Sequence, residues 1–264
     1  MTLIRSISGI RGTIGGAPGE GLSPVDVVRY TAAFGQLMKE ASGKTRPKAV
    51  IGRDARLSGP MVADLVLGTL VGLGFEVIDL GMATTPTVEM AVTGEGADAG
   101  IILTASHNPK QWNALKLLNA KGEFISADQG AEVLRLAESE AFLFSPVEEL
   151  GSVRADDTWM QKHIAAVLGL DLVDAEAIKA RKFRVVVDAV NSVGGTVIPA
   201  LLKALGVAET IELYCDPTGN FPHNPEPLPE HLKDLCDTVV KHKADLGIAI
   251  DPDVDRLALV CEDG

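Results

Sequence analysis

The stretch Ala97-Asp-Ala-Gly-Ile-Ile-Leu-Thr-Ala-Ser-His-Asn-Pro109 runs from an aliphatic segment straight into a polar turn. Ala244-Asp-Leu-Gly-Ile-Ala-Ile-Asp-Pro-Asp-Val-Asp-Arg256 repeats that plan near the other end of the sequence. Short aliphatic runs bounded by turn residues read as buried strands, and longer segments with helical spacing between them read as crossovers. Working outward from the first stretch, strands are expected at Lys48–Gly52, Glu76–Leu80 and Ala99–Leu103, with helices at Gly59–Leu73 and Pro86–Thr93. From the second, strands are expected at Phe183–Asp188, Thr210–Tyr214, Leu246–Ile250 and Leu257–Val260, with helices at Gly194–Leu205 and Glu230–His242. Gly74 and Gly206 sit where helices stop. The Ala97–Ile101 echo in Ala244–Ile248, and that of Leu73-Gly-Phe75 in Leu205-Gly-Val207, indicates a duplicated unit rather than a short-period repeat. The expected fold class is α/β: two tandem, similar α/β/α sandwich domains with mainly parallel mixed sheets, residues 1–150 and 151–264, divided near Leu150–Gly151.

Composition narrows the function. With 264 residues, 46% of them hydrophobic, the chain can bury one or two ordinary cores. Asp and Glu number 36 against 24 Lys and Arg, a net charge of −12 that disfavours nucleic acid or an anionic membrane as partner. A small anionic substrate then has to be captured by local basic groups. No apolar run is long enough to span a bilayer, and the start lacks the apolar core of a signal peptide. Cys215, Cys236 and Cys261 are odd in number and form no Cys-x-x-Cys pair, which fits reduced thiols in the cytoplasm.

Open parallel sheets bind ligands beyond the carboxyl ends of their strands, where both polar turns fall. The first offers Ser106, a hydroxyl nucleophile that needs a base or a metal nearby to act at neutral pH, with His107 beside it and Lys116 a few residues on. The second offers Asp251, Asp253 and Asp255, which alternate so that a curved loop can converge them on one oxygen-seeking divalent ion such as Mg²⁺. An EF-hand loop is disfavoured, because Arg256 stands where that loop needs glycine and Leu257–Val260 reads as strand. Arg11, flanked by glycines in Ser8-Gly-Ile-Arg-Gly12, is suited to meet a phosphate; the Arg53-Asp54 neighbours read as an ion pair supporting their loop. No Walker lysine pattern is present. The residues leave three readings open: a serine that carries phosphate beside a divalent cation, an aspartyl-phosphate phosphatase or mutase using Asp251, and a non-catalytic module that binds a sugar phosphate or a metal.

Six stretches together resemble the α-D-phosphohexomutases, the family of phosphoglucomutase, phosphomannomutase and phosphoglucosamine mutase. They are Ser8–Gly12, Gly52-Arg-Asp-Ala-Arg56, Thr104–Pro109, Asp188-Ala-Val-Asn-Ser-Val-Gly-Gly195, His223-Asn-Pro-Glu-Pro227 and Asp251–Arg256. The resemblance implies an isomerase that moves phosphate between O6 and O1 of a hexose phosphate through a phosphoserine and a hexose bisphosphate intermediate. Ser106 is then the phosphorylated residue, carrying a covalent phosphate, and it joins Asp251, Asp253 and Asp255 around one Mg²⁺. Arg256 steadies the phosphate, Arg11 and Lys116 bind the transferred group and assist proton movement, and His107 orients or activates the site. The family has four domains, so the chain is expected to represent domains I and II, without the domains III and IV that clamp the sugar, and to be a poor catalyst alone. Ala114 stands where many relatives have glycine.

Overall fold

The computed structural model describes residues 1–6 and 9–264, so Ser8, which heads the Ser8–Gly12 stretch, lies outside the described residues. Contacts divide the chain into two units. The first comprises Met1–Arg53, Ser58–Ala105 and Gln111–Asp157; the second comprises Asp54–Leu57, Ser106–Lys110 and Thr158–Gly264.

The first unit contains strands β1 (Leu3–Ser6), β2 (Gly9–Thr13), β3 (Lys48–Arg53), β4 (Glu76–Met82), β5 (Ala99–Leu103), β6 (Trp112–Leu118) and β7 (Ser152–Ala155). Its helices are α1 (Pro24–Ser42), α2 (Gly59–Gly72), α3 (Thr85–Gly94) and α4 (Ala127–Ser139). The strands form one sheet in the order β1-β2-β6-β5-β3-β4-β7. Strands β5, β3, β4 and β7 run parallel, while β1, β2, β6 and β5 pair antiparallel. Alternate residues of each strand face opposite sides. Ala49, Ile51, Ala99, Ile101 and Leu103 join Phe34, Leu70 and Val133 in a core beneath α1, α2 and α4. Each such apolar side chain stabilises the fold by about 2 kcal/mol through the surface it removes from water. The other face approaches α3 so closely that a Cβ on Gly52 would lie 2.4 Å from Val88, and one on Gly100 2.6 Å from Val92. Helix α1 begins where the sequence dictates: the Ser23 side chain and Asp26 cap each other's backbone amides, with Pro24 in the first turn.

In the second unit, α5 (Trp159–Leu168) and α6 (Ala175–Arg181) precede β8 (Arg184–Asp188), α7 (Gly194–Ala204), β9 (Glu209–Leu213), α8 (Lys233–His242), β10 (Leu246–Ile250) and β11 (Leu257–Val260). The sheet order is β11-β10-β8-β9, parallel except for the final β10–β11 pair. Val185, Val187 and Ile250 pack with Leu202 of α7 on one face. Val186 and Ala249 pack with Leu235 and Val239 of α8 on the other. Both units are therefore three-layered α/β/α arrangements on mixed sheets, as expected. Helix α8 starts three residues later than its periodicity indicates, because Pro229–His231 forms a separate 3-10 turn. Among the described residues no helix is long and apolar enough to cross a membrane.

Candidate active site

Strand β10 delivers Asp251 at its carboxyl end, and the loop that follows turns back on itself. Asp251 Oδ1 accepts from the backbone amides of Asp255 at 3.1 Å and Arg256 at 3.2 Å. The Val254 amide donates to the Asp251 carbonyl at 3.1 Å, and Val254 takes a left-handed conformation. The Ser192 hydroxyl, from the turn between β8 and α7, donates to the Pro252 carbonyl at 2.6 Å. This tight curl converges the alternating carboxylates: one oxygen from each of Asp251, Asp253 and Asp255 lies within 4.8 Å of the others. Asp251 and Asp253 are fully buried, whereas Asp255 is exposed.

The serine loop, Ser106–Lys110, belongs to the same unit. The Ser106 hydroxyl donates to Asp251 Oδ2 at 2.8 Å and lies 3.4 Å from His107 Nδ1. On the far side of the imidazole, His107 Nε2 is 3.9 Å from Glu226 Oε1, and Arg256 Nη1 meets that same oxygen at 3.3 Å. Ser106 has a left-handed backbone, φ 50°, which costs a residue with a Cβ about 1–2 kcal/mol. The loop is held from behind by Arg56, whose guanidinium donates to the carbonyls of Ser106, Asn108 and Pro109.

Electrostatics mark the same place. Burial, and then the charges of Asp253 and Asp255, push the Asp251 carboxyl up to about 8, against an opposing pull from the Ser106 hydroxyl. Clustered carboxylates with little access to water need positive charge to ionise together. All the convergent donors are oxygens, and three oxygens on one small hard cation stand roughly 3–4 Å apart, so the cluster fits a magnesium-type ion with small adjustments.

Of the residues singled out by sequence, Ser106, His107, Asp251, Asp253, Asp255 and Arg256 come together in the second unit. Arg11 and Lys116 come together in the first. Arg11 pairs across β2–β6 with Ala114, two residues before Lys116, which places both basic side chains on the sheet face opposite the Ile10 and Leu115 core positions. Asp54 meets the Arg56 guanidinium at 3.0 Å, an ion pair beside the one expected between Arg53 and Asp54. Sequence reasoning assigned no role to Arg56, Glu226 or His223, although each lies in a stretch it had marked. His223 Nε2 meets Asp188 Oδ2 at 3.0 Å, and its Nδ1 meets the Asn224 carbonyl at 2.8 Å. Burial pulls this imidazole down, but the hydrogen bond and charge of Asp188, with the Asn224 carbonyl and Asp234, outweigh it and raise its pKa.

Residues 3–144 match the family description "Phosphoglucomutase/phosphomannomutase, alpha/beta/alpha domain I", and residues 161–264 match the corresponding domain II. A phosphoglucomutase/phosphomannomutase of Thermococcus kodakarensis is 39% identical over 256 residues, covering 96% of this chain and 55% of its own length. A phosphoglucosamine/phosphogalactosamine mutase of Sulfurisphaera tokodaii is 33% identical, covering 97% and 54% respectively. A crystal structure of a phosphoglucomutase/phosphomannomutase family protein from Burkholderia thailandensis superposes with a TM-score of 0.83 at 32% identity, over 99% of this chain and 55% of that one. The chain thus spans about half the length of the curated relatives it matches.

Proposed function

Since the chain belongs to the phosphoglucomutase/phosphomannomutase family, we propose that it carries the phosphoserine and metal-binding part of a phosphohexomutase, an isomerase that moves phosphate between O6 and O1 of a hexose phosphate. A first domain over residues 1–150 and a second over 151–264 divide the work. The observation that carries this reading is the Ser106 hydroxyl donating to Asp251 Oδ2 at 2.8 Å, beside two further convergent carboxylates.

Asp251, Asp253, Asp255 and the Ser106 oxygen would hold one Mg²⁺. When bound, the ion supplies the positive charge that lets the carboxylates ionise together and that offsets charge on a phosphoryl group. The chain's own residues do the rest. Ser106 Oγ accepts and returns the phosphoryl group, and His107 Nδ1, at 3.4 Å, is placed to take or return the hydroxyl proton. Arg256 and Glu226 form a charged pair at the mouth of the aspartate loop, where Arg256 steadies the phosphate. Arg11 and Lys116 offer two cations from one sheet face to the hexose phosphate and to the bisphosphate formed from it. Free thiols at Cys215, Cys236 and Cys261 favour the cytoplasm as the place of work.

An aspartyl-phosphate mechanism fits less well. Both Asp251 oxygens are already engaged, one by two backbone amides and the other by Ser106, and the raised pKa opposes a free carboxylate nucleophile. Mass spectrometry of the protein treated with a hexose bisphosphate tests the proposal. A gain of about 80 Da is expected, mapping to the peptide that contains Ser106 and vanishing in Ser106→Ala. Label retained by that variant, or mapped to Asp251, would refute the serine route.

A further inference from the structure

Arg56 is among the largest side chains in the protein that are fully shielded from water. A buried guanidinium is tolerated only when its charge is paired and its donors are satisfied. Here Nε donates to Asp54 Oδ2 at 3.0 Å, Nη1 to the Pro109 carbonyl at 2.8 Å, and Nη2 to the carbonyls of Ser106 at 2.5 Å and Asn108 at 2.7 Å. The Phe221 ring covers it, with the guanidinium carbon 5.1 Å from the ring centroid. Asp54 is equally buried, and its Oδ1 accepts from the Arg56 backbone amide at 2.9 Å, so one carboxylate fixes both ends of the residue. Gly219, with φ +73°, brings its backbone so close to this segment that a Cβ there would lie 2.1 Å from the Ala55 carbonyl.

Three carbonyls within four residues turn toward one planar fork. That is a constraint on the backbone, and it falls on the segment where Ser106 holds its left-handed conformation. A strained residue keeps such a conformation only when its surroundings fix it, and the three bonds from Arg56 fix this one from outside the loop. A lysine could not reproduce the arrangement, because its three donors leave a single nitrogen while those of arginine are spread along a rigid plane.

We propose that Arg56 is a positioning residue: by holding the carbonyls of Ser106, Asn108 and Pro109 it sets the backbone that aims the Ser106 hydroxyl at Asp251. This deepens the phosphoserine reading and rests on it. The guanidinium is shielded from water, and its effect passes through the serine loop that it holds.

The test uses Arg56→Lys in the 264-residue chain, with three readouts: amide hydrogen exchange by peptide, the rate at which Ser106 takes a phosphoryl group from glucose 1,6-bisphosphate, and Mg²⁺ affinity. Exchange in the peptide covering residues 104–111 should rise at least about tenfold while the helices and sheet strands keep wild-type protection. Phosphorylation of Ser106 should slow by about 100-fold, the cost of a small misplacement of a reacting atom. Mg²⁺ affinity should stay within about threefold, because the aspartate loop is shaped by its own amides. Should Arg56→Lys fail to fold, Asp54→Asn, which weakens the anchor of the same guanidinium, is expected to loosen the same peptide to a smaller extent. Wild-type exchange in residues 104–111 of a folded variant overturns the proposal, and so does acceleration spread evenly over the whole chain. If the wild-type chain takes up no phosphoryl group, the phosphoserine reading fails, and the exchange pattern still decides the role of Arg56.

Discussion

The serine loop, Ser106–Lys110, is shaped by a side chain from a distant segment, Arg56, whereas the aspartate loop at residues 251–256 is shaped largely by itself. In the second loop the carboxylate of Asp251 caps the amides of Asp255 and Arg256, and the Ser192 hydroxyl braces the Pro252 carbonyl from outside it. The two meet at the hydrogen bond from Ser106 Oγ to Asp251 Oδ2. The contrast separates two jobs. A self-capped loop can present ion ligands as a pre-formed set, while a loop held at its carbonyls is fixed through its backbone, as the proposed phosphoryl transfer at the Ser106 side chain requires. Perturbing one loop should therefore leave the backbone of the other largely intact.

The largest break is Ser106→Ala. Phosphoryl uptake from glucose 1,6-bisphosphate should fall by at least about a thousandfold, read by phosphopeptide mass spectrometry, while Mg²⁺ binding weakens far less. The mirror experiment is Asp253→Asn, which removes one buried charge from the self-capped loop. Calorimetry should show Mg²⁺ affinity lowered on the order of 100-fold, with amide exchange in the serine peptide unchanged. If either substitution raised amide exchange equally in both loops, the separation would be wrong.

A finer test uses protons. The Asp251 carboxyl is raised from 3.8 to about 8 in the ion-free protein. A group raised in the folded state adds stability that is fully present below its unfolded pKa and is lost as pH rises through the folded value. The ion-free protein should accordingly lose stability between about pH 4 and pH 8, seen as a falling thermal midpoint. Mg²⁺ should remove much of that decline and release about one proton per ion near pH 7, measured by calorimetry in buffers of different ionisation enthalpy. The smallest effect belongs to His223, whose pKa is raised by Asp188 once the opposing effect of burial is overcome. Its stabilisation is present below the ordinary imidazole range and lost as pH climbs through its elevated value. His223→Asn should flatten the unfolding equilibrium across that window by no more than about tenfold.

Much of this arrangement is legible in the sequence. Strands β3, β4, β5, β8, β9, β10 and β11 announce themselves as aliphatic runs of the right length, and the glycines at 74 and 206 mark where α2 and α7 give way to strands. Alternation is harder to read at β7, whose Ser152-Val-Arg-Ala155 is exposed along its whole length, and at β6, where Ala114-Leu-Lys-Leu-Leu118 is too short to distinguish strand from helix. Helix α1 buries small residues around much of its circumference, including Thr31, Ala32, Ala33 and Gly35, which blurs its apolar stripe. Its Ser23–Asp26 capping box is the usable signal. At the candidate site, the groups proposed to react are readable because their chemistry is local: a serine beside a histidine, and carboxylates at alternate positions. Arg56 and Glu226 are not, since their meaning comes from carbonyls and side chains tens of residues away. The Arg56–Asp54 pair illustrates the limit, because which basic residue of Gly52-Arg-Asp-Ala-Arg56 reaches inward depends on how the loop is buried.

The central claim is that the Ser106 oxygen and the three aspartates serve one ion. Electron–nuclear double resonance of the chain phosphorylated at Ser106, with Mn²⁺ replacing Mg²⁺, tests it directly. A ³¹P hyperfine coupling of the size produced by a phosphate oxygen bound to the metal is the predicted result. Mn²⁺ held by the aspartates with no phosphorus coupling would contradict it.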